Sequence, residues 1–371
     1  MTTLNELYDQ FGQSPWIDNI RRDWLNDGTL AKLVAEGVRG VTSNPSIFAK
    51  ALATSTAYDE FVKLDDDHDP ERVFERLAVA DVRDACDVLT SVYKSSKADF
   101  SNGRRRYFDG FVSLEVSPRL ARDTAETVKA AHRLHHEVHR DNVMIKIPAT
   151  REGLPAIRDV LGAGINVNVT LIFSLDRYDE VLSAWIEGLE LARSNGHDVS
   201  RIASVASFFV SRVDAAVDAL LPEGDSRRGT TANAQVAGAY RLYQRRLSDK
   251  RVVDLLAAGA QVQRPLWAST STKNPTYNDL LYVDSIVANE TVNTMPDATL
   301  QAVLDHGSFT GSLLASVEST ERAAEIIADL PTSVNLKEVT DKLESDGVQA
   351  FADSYDELLA TVAEKIVSSA R

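Results

Sequence analysis

Residues 142–148 read NVMIKIP, and the alternation inside them decides the fold. Val143, Ile145 and Ile147 share one parity, and Lys146 takes the other. A short alternating run that ends in proline predicts a strand. Taken alone, the lysine reads as an edge-strand guard. The neighbouring segments argue differently. In FVSLEV at 111–116, Ser113 and Glu115 oppose Val112, Leu114 and Val116. In NVNVTL at 166–171, Asn166, Asn168 and Thr170 oppose Val167, Val169 and Leu171. Thr42 and Asn44 share a parity in GVTSNP, and Ser207 comes late in IASVASFF.

Eight segments share this character: 14–20, 37–45, 109–116, 142–148, 166–173, 202–209, 265–272 and 291–295. Each is short, bounded by Gly, Pro, Asn or Asp, and rich in β-branched or aromatic residues. Helical periodicity lies between and after them, at 119–140, 176–195, 210–221, 230–258, 312–328 and 337–369. A further helix starts at Asp69-Pro70, an N-cap followed by proline at the first helical position. Strands alternating with helices predict parallel βα units, and eight of them predict a closed (β/α)8 TIM barrel. No glycine-rich dinucleotide fingerprint follows the first strand, which argues against an open doubly wound sheet. The whole chain, 1–371, reads as one barrel domain. It carries a helical and loop insertion at 221–262 and a C-terminal helical extension at 337–369, which is expected to pack over the barrel and help close its site.

Composition narrows the function. A 371-residue chain with 44% apolar and 26% charged residues is that of a soluble globular protein. Its net charge of −15 argues against a nucleic-acid partner, although a local cationic pocket could still take a small anion. No apolar run is long enough for a membrane span, and MTTLNELYDQFGQSPW lacks the regions of a secretory signal. The single cysteine, Cys86, fits a reducing compartment, so the expected location is the cytoplasm. The basic cluster GRRR at 103–106 reads as a solvated loop.

In such a barrel the aliphatic set packs against the helices and the other set faces inward. Polar groups near the C-terminal strand ends then share one cavity. Asp18, Thr42, Asn44, Glu115, Lys146, Asn168, Thr170 and Ser207 form that set. Burial disfavours a lysine's ammonium form, leaving a neutral amine that can attack a ketone and form an imine. The protonated imine is an electron sink, so a neighbouring carbon–carbon bond can break without a metal. Asp18 is the candidate acid/base for the departing hydroxyl proton. Glu115 with Thr170 could hold and activate the water of dehydration and hydrolysis. Asn44 and Asn168 suit sugar hydroxyls, and Ser113 could support the lysine. Singly, Asp18 reads as a turn residue and Glu115 as an ion-pair partner; their convergence carries the reading.

These residues resemble the transaldolase family over nearly the whole chain. GQSPWIDNI is similar to its first-strand segment, which implies a catalytic role for Asp18. GVTSNPSIF resembles the second-strand motif and implies substrate contacts from Thr42 and Asn44. VSLEVSPRL implies Glu115, MIKIPAT implies an imine on Lys146, and INVNVTLIFS implies Asn168 and Thr170. ASFFVSRVD resembles the phosphate-binding segment and implies Ser207, Phe209 and Arg212. The resemblance implies transfer of a dihydroxyacetone unit from fructose 6-phosphate or sedoheptulose 7-phosphate to erythrose 4-phosphate or glyceraldehyde 3-phosphate. It also implies the non-oxidative pentose phosphate pathway and no cofactor. Where many members carry a phosphate-binding arginine after the seventh strand, this chain has WASTSTKNP of the long bacterial type, so Lys273 is expected there. The oligomeric state stays open between monomer and homodimer.

Two rival chemistries remain. His132, His135, His136 and His139 stand at metal-ligand spacing on one predicted helix, but near the barrel's non-catalytic end. A non-transferring aldolase would use the same lysine. In related aldolases a tyrosine often replaces the glutamate near the dehydration water, so Glu115 favours transfer. A binding barrel without catalysis would have no reason to gather Lys146, Glu115, Asp18 and Thr170.

Overall fold

The computed structural model describes residues 3–65, 67–309, 314 and 317–369. Seven parallel strands form one curled sheet: β1 (Gln13–Ile17), β2 (Val112–Glu115), β3 (Val143–Pro148), β4 (Val167–Ile172), β5 (Ser204–Phe209), β6 (Gln263–Ala268) and β7 (Thr291–Met295). Their order is β1-β7-β6-β5-β4-β3-β2, which leaves β1 and β2 at the two ends. The 37–45 segment joins those ends. It is not the full strand that its composition predicts: only Val41 bridges, to Ile17 on one side and to Val112 on the other. Backbone hydrogen bonds complete the closure, three on the β1 side (Arg39 N to Pro15 O, Ile17 N to Gly40 O, Thr42 N to Ile17 O) and three on the β2 side (Gly110 N to Arg39 O, Val41 N to Phe111 O, Ser113 N to Val41 O), giving an eight-membered (β/α)8 barrel. The paired stretch ends at Thr42 for local reasons. Pro45 offers no donor, and Asn44 caps the next helix, accepting from Ile47 N.

Helices follow the strands and cover the barrel. Those used below are α1 (Pro45–Thr54), α2 (Pro70–Val88), α3 (Thr124–Val138), α4 (Leu175–Ser194), α5 (Ser211–Asp218), α6 (Thr231–Arg246), α7 (Val317–Ala328) and α8 (Leu336–Ser369). Asp69 caps α2 by accepting from Glu71 N, with Pro70 at the first helical position, as its residue order predicts. The helix expected over 119–140 shrinks to α3, because Pro118–Leu120 takes a single 3-10 turn and His139 adopts a left-handed φ of 52°. The span 230–258 divides into α6 and Lys250–Ala257. Of the helix expected at 312–328, residues 312, 313, 315 and 316 lie outside the described residues, Leu314 is not in an α-helix, and α7 accounts for 317–328.

α8 packs against α1, α2, α5 and β4. Glu344 accepts from Arg177 at 3.2 Å, Ser354 meets Ser46 at 2.7 Å, and Tyr355 donates to Glu71 at 3.0 Å. These contacts fix its position along the barrel.

The barrel interior is layered by parity. Ser14, Trp16 and Asp18 climb one wall, and the Trp16 ring fills the middle so tightly that a Cβ on Gly40 would lie 2.3 Å from it. Below that ring sits a buried ion network centred on Asp109, three residues before β2. Its carboxylate accepts from Ser14 Oγ (2.5 Å), Trp16 Nε1 (2.8 Å), Arg39 Nε (3.0 Å) and Arg264 (3.2 Å). Burial alone would raise its pKa, but Arg264, Arg39 and the two hydrogen bonds outweigh burial and hold it below the usual carboxylate range. The donors come from β1, the 37–45 segment and β6, so one carboxylate adds a side-chain staple across the seam. Asp109→Asn should therefore lower the free energy of unfolding by about 3–5 kcal/mol, since it leaves Arg264 buried and underpaired. Urea denaturation measures this, and a loss below about 1 kcal/mol would remove the stapling role.

Candidate functional site

At the other end of the barrel, β1, the 37–45 segment and strands β3 to β7 send side chains into a cavity of about 150 Å³. Asp18, Thr42, Asn44, Lys146, Thr170, Ser207, Phe209, Arg212 and Lys273 line it, together with Thr294, Ser269, Ser271 and Phe351. Nine of the residues expected from the sequence are thus brought to one wall. Ser113, Glu115 and Asn168 stand just behind it.

Lys146 is the centre. Its register partners are Glu115 on β2 and Asn168 on β4, so the three lie side by side across the sheet. Its Nζ lies 3.4 Å from Glu115 Oε2 and donates to Ser43 O at 3.0 Å. Both side chains of the pair are about 5% exposed. Burial pushes the Glu115 carboxyl up to about 7, against the opposing pull of the Lys146 charge and hydrogen bond. Asp18 is likewise raised, by burial first, with Lys146 and the Thr42 hydroxyl drawing it back down. Two carboxyls of raised proton affinity therefore flank one amine, an arrangement that can move protons near neutral pH.

The supporting contacts divide the remaining residues. Thr42 donates to Asp18 at 2.5 Å and shares a 2.6 Å hydrogen bond with Thr294, so it orients the carboxyl. Asn44 spends its carbonyl oxygen on the α1 cap, which leaves its amide group for the cavity. Asn168 donates to Ser113 at 2.9 Å and accepts from Ser207 at 2.7 Å. That chain forms a floor under the lysine, and both functional ends of Asn168 are engaged in it. Two buried atoms point differently. Thr170 Oγ1 has no hydrogen-bond partner among the described residues, and Glu115 Oε2 has only the lysine. They suit a small polar molecule held between them.

Thr170 owes its position to a bulge. Val169 pairs with Ala206 and Ile172 with Phe208, so Thr170 and Leu171 together oppose Ser207. Leu171 has φ 60°, a left-handed conformation that a bulky side chain adopts only under constraint.

At the cavity mouth Arg212 opens α5, its guanidinium 5.2 Å from the Phe209 ring centre. Lys273 lies close enough for the two charges to interact: burial first, and then Arg212, lowers its pKa. Burial also lowers that of Arg212. Neither forms an ion pair with a carboxylate among the described residues. The loop carrying Lys273 is tied to α5 by Tyr277 donating to Asp218 (2.7 Å) and Tyr282 donating to Asp214 (2.8 Å). Asp18 acts on both from a distance, but two cations held together with no carboxylate in contact suit a dianion.

The histidine cluster does not converge. His139 leaves the α3 helical path, and no group of three or more His, Cys, Asp or Glu side chains that could hold a metal ion occurs among the described residues. A larger groove of about 850 Å³ runs between α4, α6, α7 and the start of α8, away from the buried lysine and its carboxylates. Sequence reasoning missed Ser269, Ser271, Thr294 and Phe351. Thr294 has the inward parity of β7, which could have found it; Phe351 lies on α8, where periodicity shows burial but not against what.

Comparison with known proteins agrees with this geometry. The model of the family described as Transaldolase/Fructose-6-phosphate aldolase matches residues 15–362. The chain is 48% identical to a protein named transaldolase from Frankia alni, covering 98% of this chain and 97% of the relative. It is 47% identical to one so named from Thermobifida fusca, covering 98% of each. A third, from Saccharopolyspora erythraea, is 44% identical over 99% of each.

The mouth cations make a prediction independent of the reaction. Inorganic phosphate should bind the wild-type protein, and Arg212→Ala should weaken it about tenfold or more, the effect of one charge-assisted hydrogen bond. Isothermal titration calorimetry reads it, and unchanged affinity would place the anion elsewhere.

Proposed function

The chain belongs to the transaldolase/fructose-6-phosphate aldolase family, and on that premise we propose that it is a transaldolase working through an imine on Lys146. The observation that carries this reading is the buried lysine between Glu115 and Asp18, at the base of a cavity whose mouth holds Arg212 and Lys273. The donor is a ketose phosphate, fructose 6-phosphate or sedoheptulose 7-phosphate. The acceptor is an aldose phosphate, erythrose 4-phosphate or glyceraldehyde 3-phosphate, as in the non-oxidative pentose phosphate pathway.

The Lys146 amine, once it has given up its proton, attacks the ketone carbon, and the carbinolamine loses water to give the iminium. Glu115 and Thr170 hold and activate that water. Asp18 takes the proton of the C4 hydroxyl as the C3–C4 bond breaks, and the bonding electrons pass to the iminium nitrogen. The aldose leaves, and a three-carbon enamine remains on Lys146. An incoming aldose phosphate is attacked by the enamine carbon, Asp18 returns its proton, and hydrolysis frees the lengthened ketose. Arg212 and Lys273 hold the phosphate of each sugar, with Ser207 and Phe209 beside it; Thr42 orients Asp18, and the Asn44 amide meets a sugar hydroxyl. Ser113 and Asn168 position Lys146 and Ser207 from below. We read 1–371 as one barrel domain, with 221–262 inserted and 337–369 covering the barrel, and place the protein in the cytoplasm without a cofactor. No helix of the described residues is long and apolar enough to cross a membrane.

Incubation with fructose 6-phosphate and borohydride should leave a reduced three-carbon adduct on Lys146, located by peptide mass spectrometry and absent in Lys146→Ala. No adduct with either ketose phosphate would overturn the imine mechanism.

Glu115 also sets a pH dependence. Its carboxyl is raised to about 7 and must be deprotonated to activate water, so activity should climb through pH 7 from the acid side. Glu115→Gln should erase that limb and lower kcat by about a hundredfold. A wild-type limb centred near the usual carboxylate range would reassign the base.

A further inference from the structure

α8 reaches into the reaction cavity at one residue. Phe351 is 4% exposed, and its ring centre lies 5.7 Å from Lys146 Nζ. One turn earlier on the same helix face, Gly347 rests on the strained bulge of β4: a Cβ there would lie 3.1 Å from Leu171 Cδ2 and 3.6 Å from the Phe173 ring. The glycine therefore sets how deeply the helix sits, and the depth sets the distance from the phenyl ring to the lysine. Phe351 brings no proton and no hydrogen-bonding group. It roofs a cavity whose other walls are largely polar.

We propose that Phe351 decides the fate of the three-carbon intermediate, shielding the enamine carbon so that an aldose acceptor, not a water-derived proton, reaches it. The proposal rests on the imine reading above. Without the roof, a solvent proton adds to the enamine carbon and the electron pair of the C=C bond forms the new C–H bond. The iminium so restored takes up one water at its carbon, the C–N bond breaks, and dihydroxyacetone leaves as Lys146 regains its amine. The same barrel would then act as a releasing aldolase. An apolar ring near a carbanion-like carbon excludes proton donors, and over the cationic iminium it adds a favourable ring–cation contact.

The test measures two rates on the intact chain: transfer from fructose 6-phosphate to an aldose phosphate, and release of free dihydroxyacetone without acceptor. Phe351→Ala should raise the ratio of release to transfer about tenfold, a barrier difference typical of one lost contact. Phe351→Leu, which keeps the roof apolar, should fall between it and wild type. In deuterium oxide the released dihydroxyacetone should carry one solvent deuterium at the former enamine carbon. The borohydride adduct on Lys146 is followed in each variant as the control that the site is assembled. A ratio unchanged in both variants, or release and transfer falling in parallel, overturns the role of Phe351. An adduct missing from the wild-type protein overturns the imine mechanism instead.

Discussion

Closure of the barrel at Val41 is the constraint on which the remaining structure depends. Seven strands make a sheet with two ends, and every inward-facing residue acquires a shared interior only if those ends meet. The closing segment supplies one bridging residue. The interior adds a side-chain link, where Asp109 gathers donors from β1, the closing segment and β6. A buried charge usually costs more in desolvation than it returns. Here the carboxylate is fully engaged, and removing any one partner would strand the others.

The two ends of the interior treat charge in opposite ways. At the base, Asp109 is satisfied and held below the ordinary carboxylate range. At the mouth, Glu115 and Asp18 are held above it, because their hydrogen bonds and the single lysine do not offset burial. Both situations arise a few residues apart in the chain: Ser14 and Asp18 along β1 and just past it, Asp109 and Glu115 before and on β2. Height along the barrel decides which environment each meets. The net charge of −15 is compatible with an anionic substrate, because Arg212 and Lys273 make the mouth locally cationic.

Much of this was legible in the sequence because strand parity is local. NVMIKIP, FVSLEV and NVNVTL each declare their inward face without reference to any partner, and the eight segments place eight barrel members in order. What was not legible depends on distant partners. That pairing in 37–45 would stop at Thr42 follows from its junction with α1, where Asn44 caps the helix and Pro45 has no donor. That Asn168 would spend both ends on Ser113 and Ser207 follows from side chains on two other strands. The bulge at Leu171 leaves no mark in an alternating pattern, and α8 shows an apolar stripe without saying that Phe351 on it overlies Lys146.

The separation of the two charge networks has a consequence for how this molecule can change. Substitutions that improve endurance and those that alter chemistry draw on different stretches of the same strands. The base can be reworked, even toward an apolar filling, without approaching a reacting atom. The mouth can be reshaped while the staple below keeps the barrel shut. A lineage or an engineer could thus adjust heat tolerance and reaction outcome as nearly independent variables, with the Trp16 ring as the partition between them.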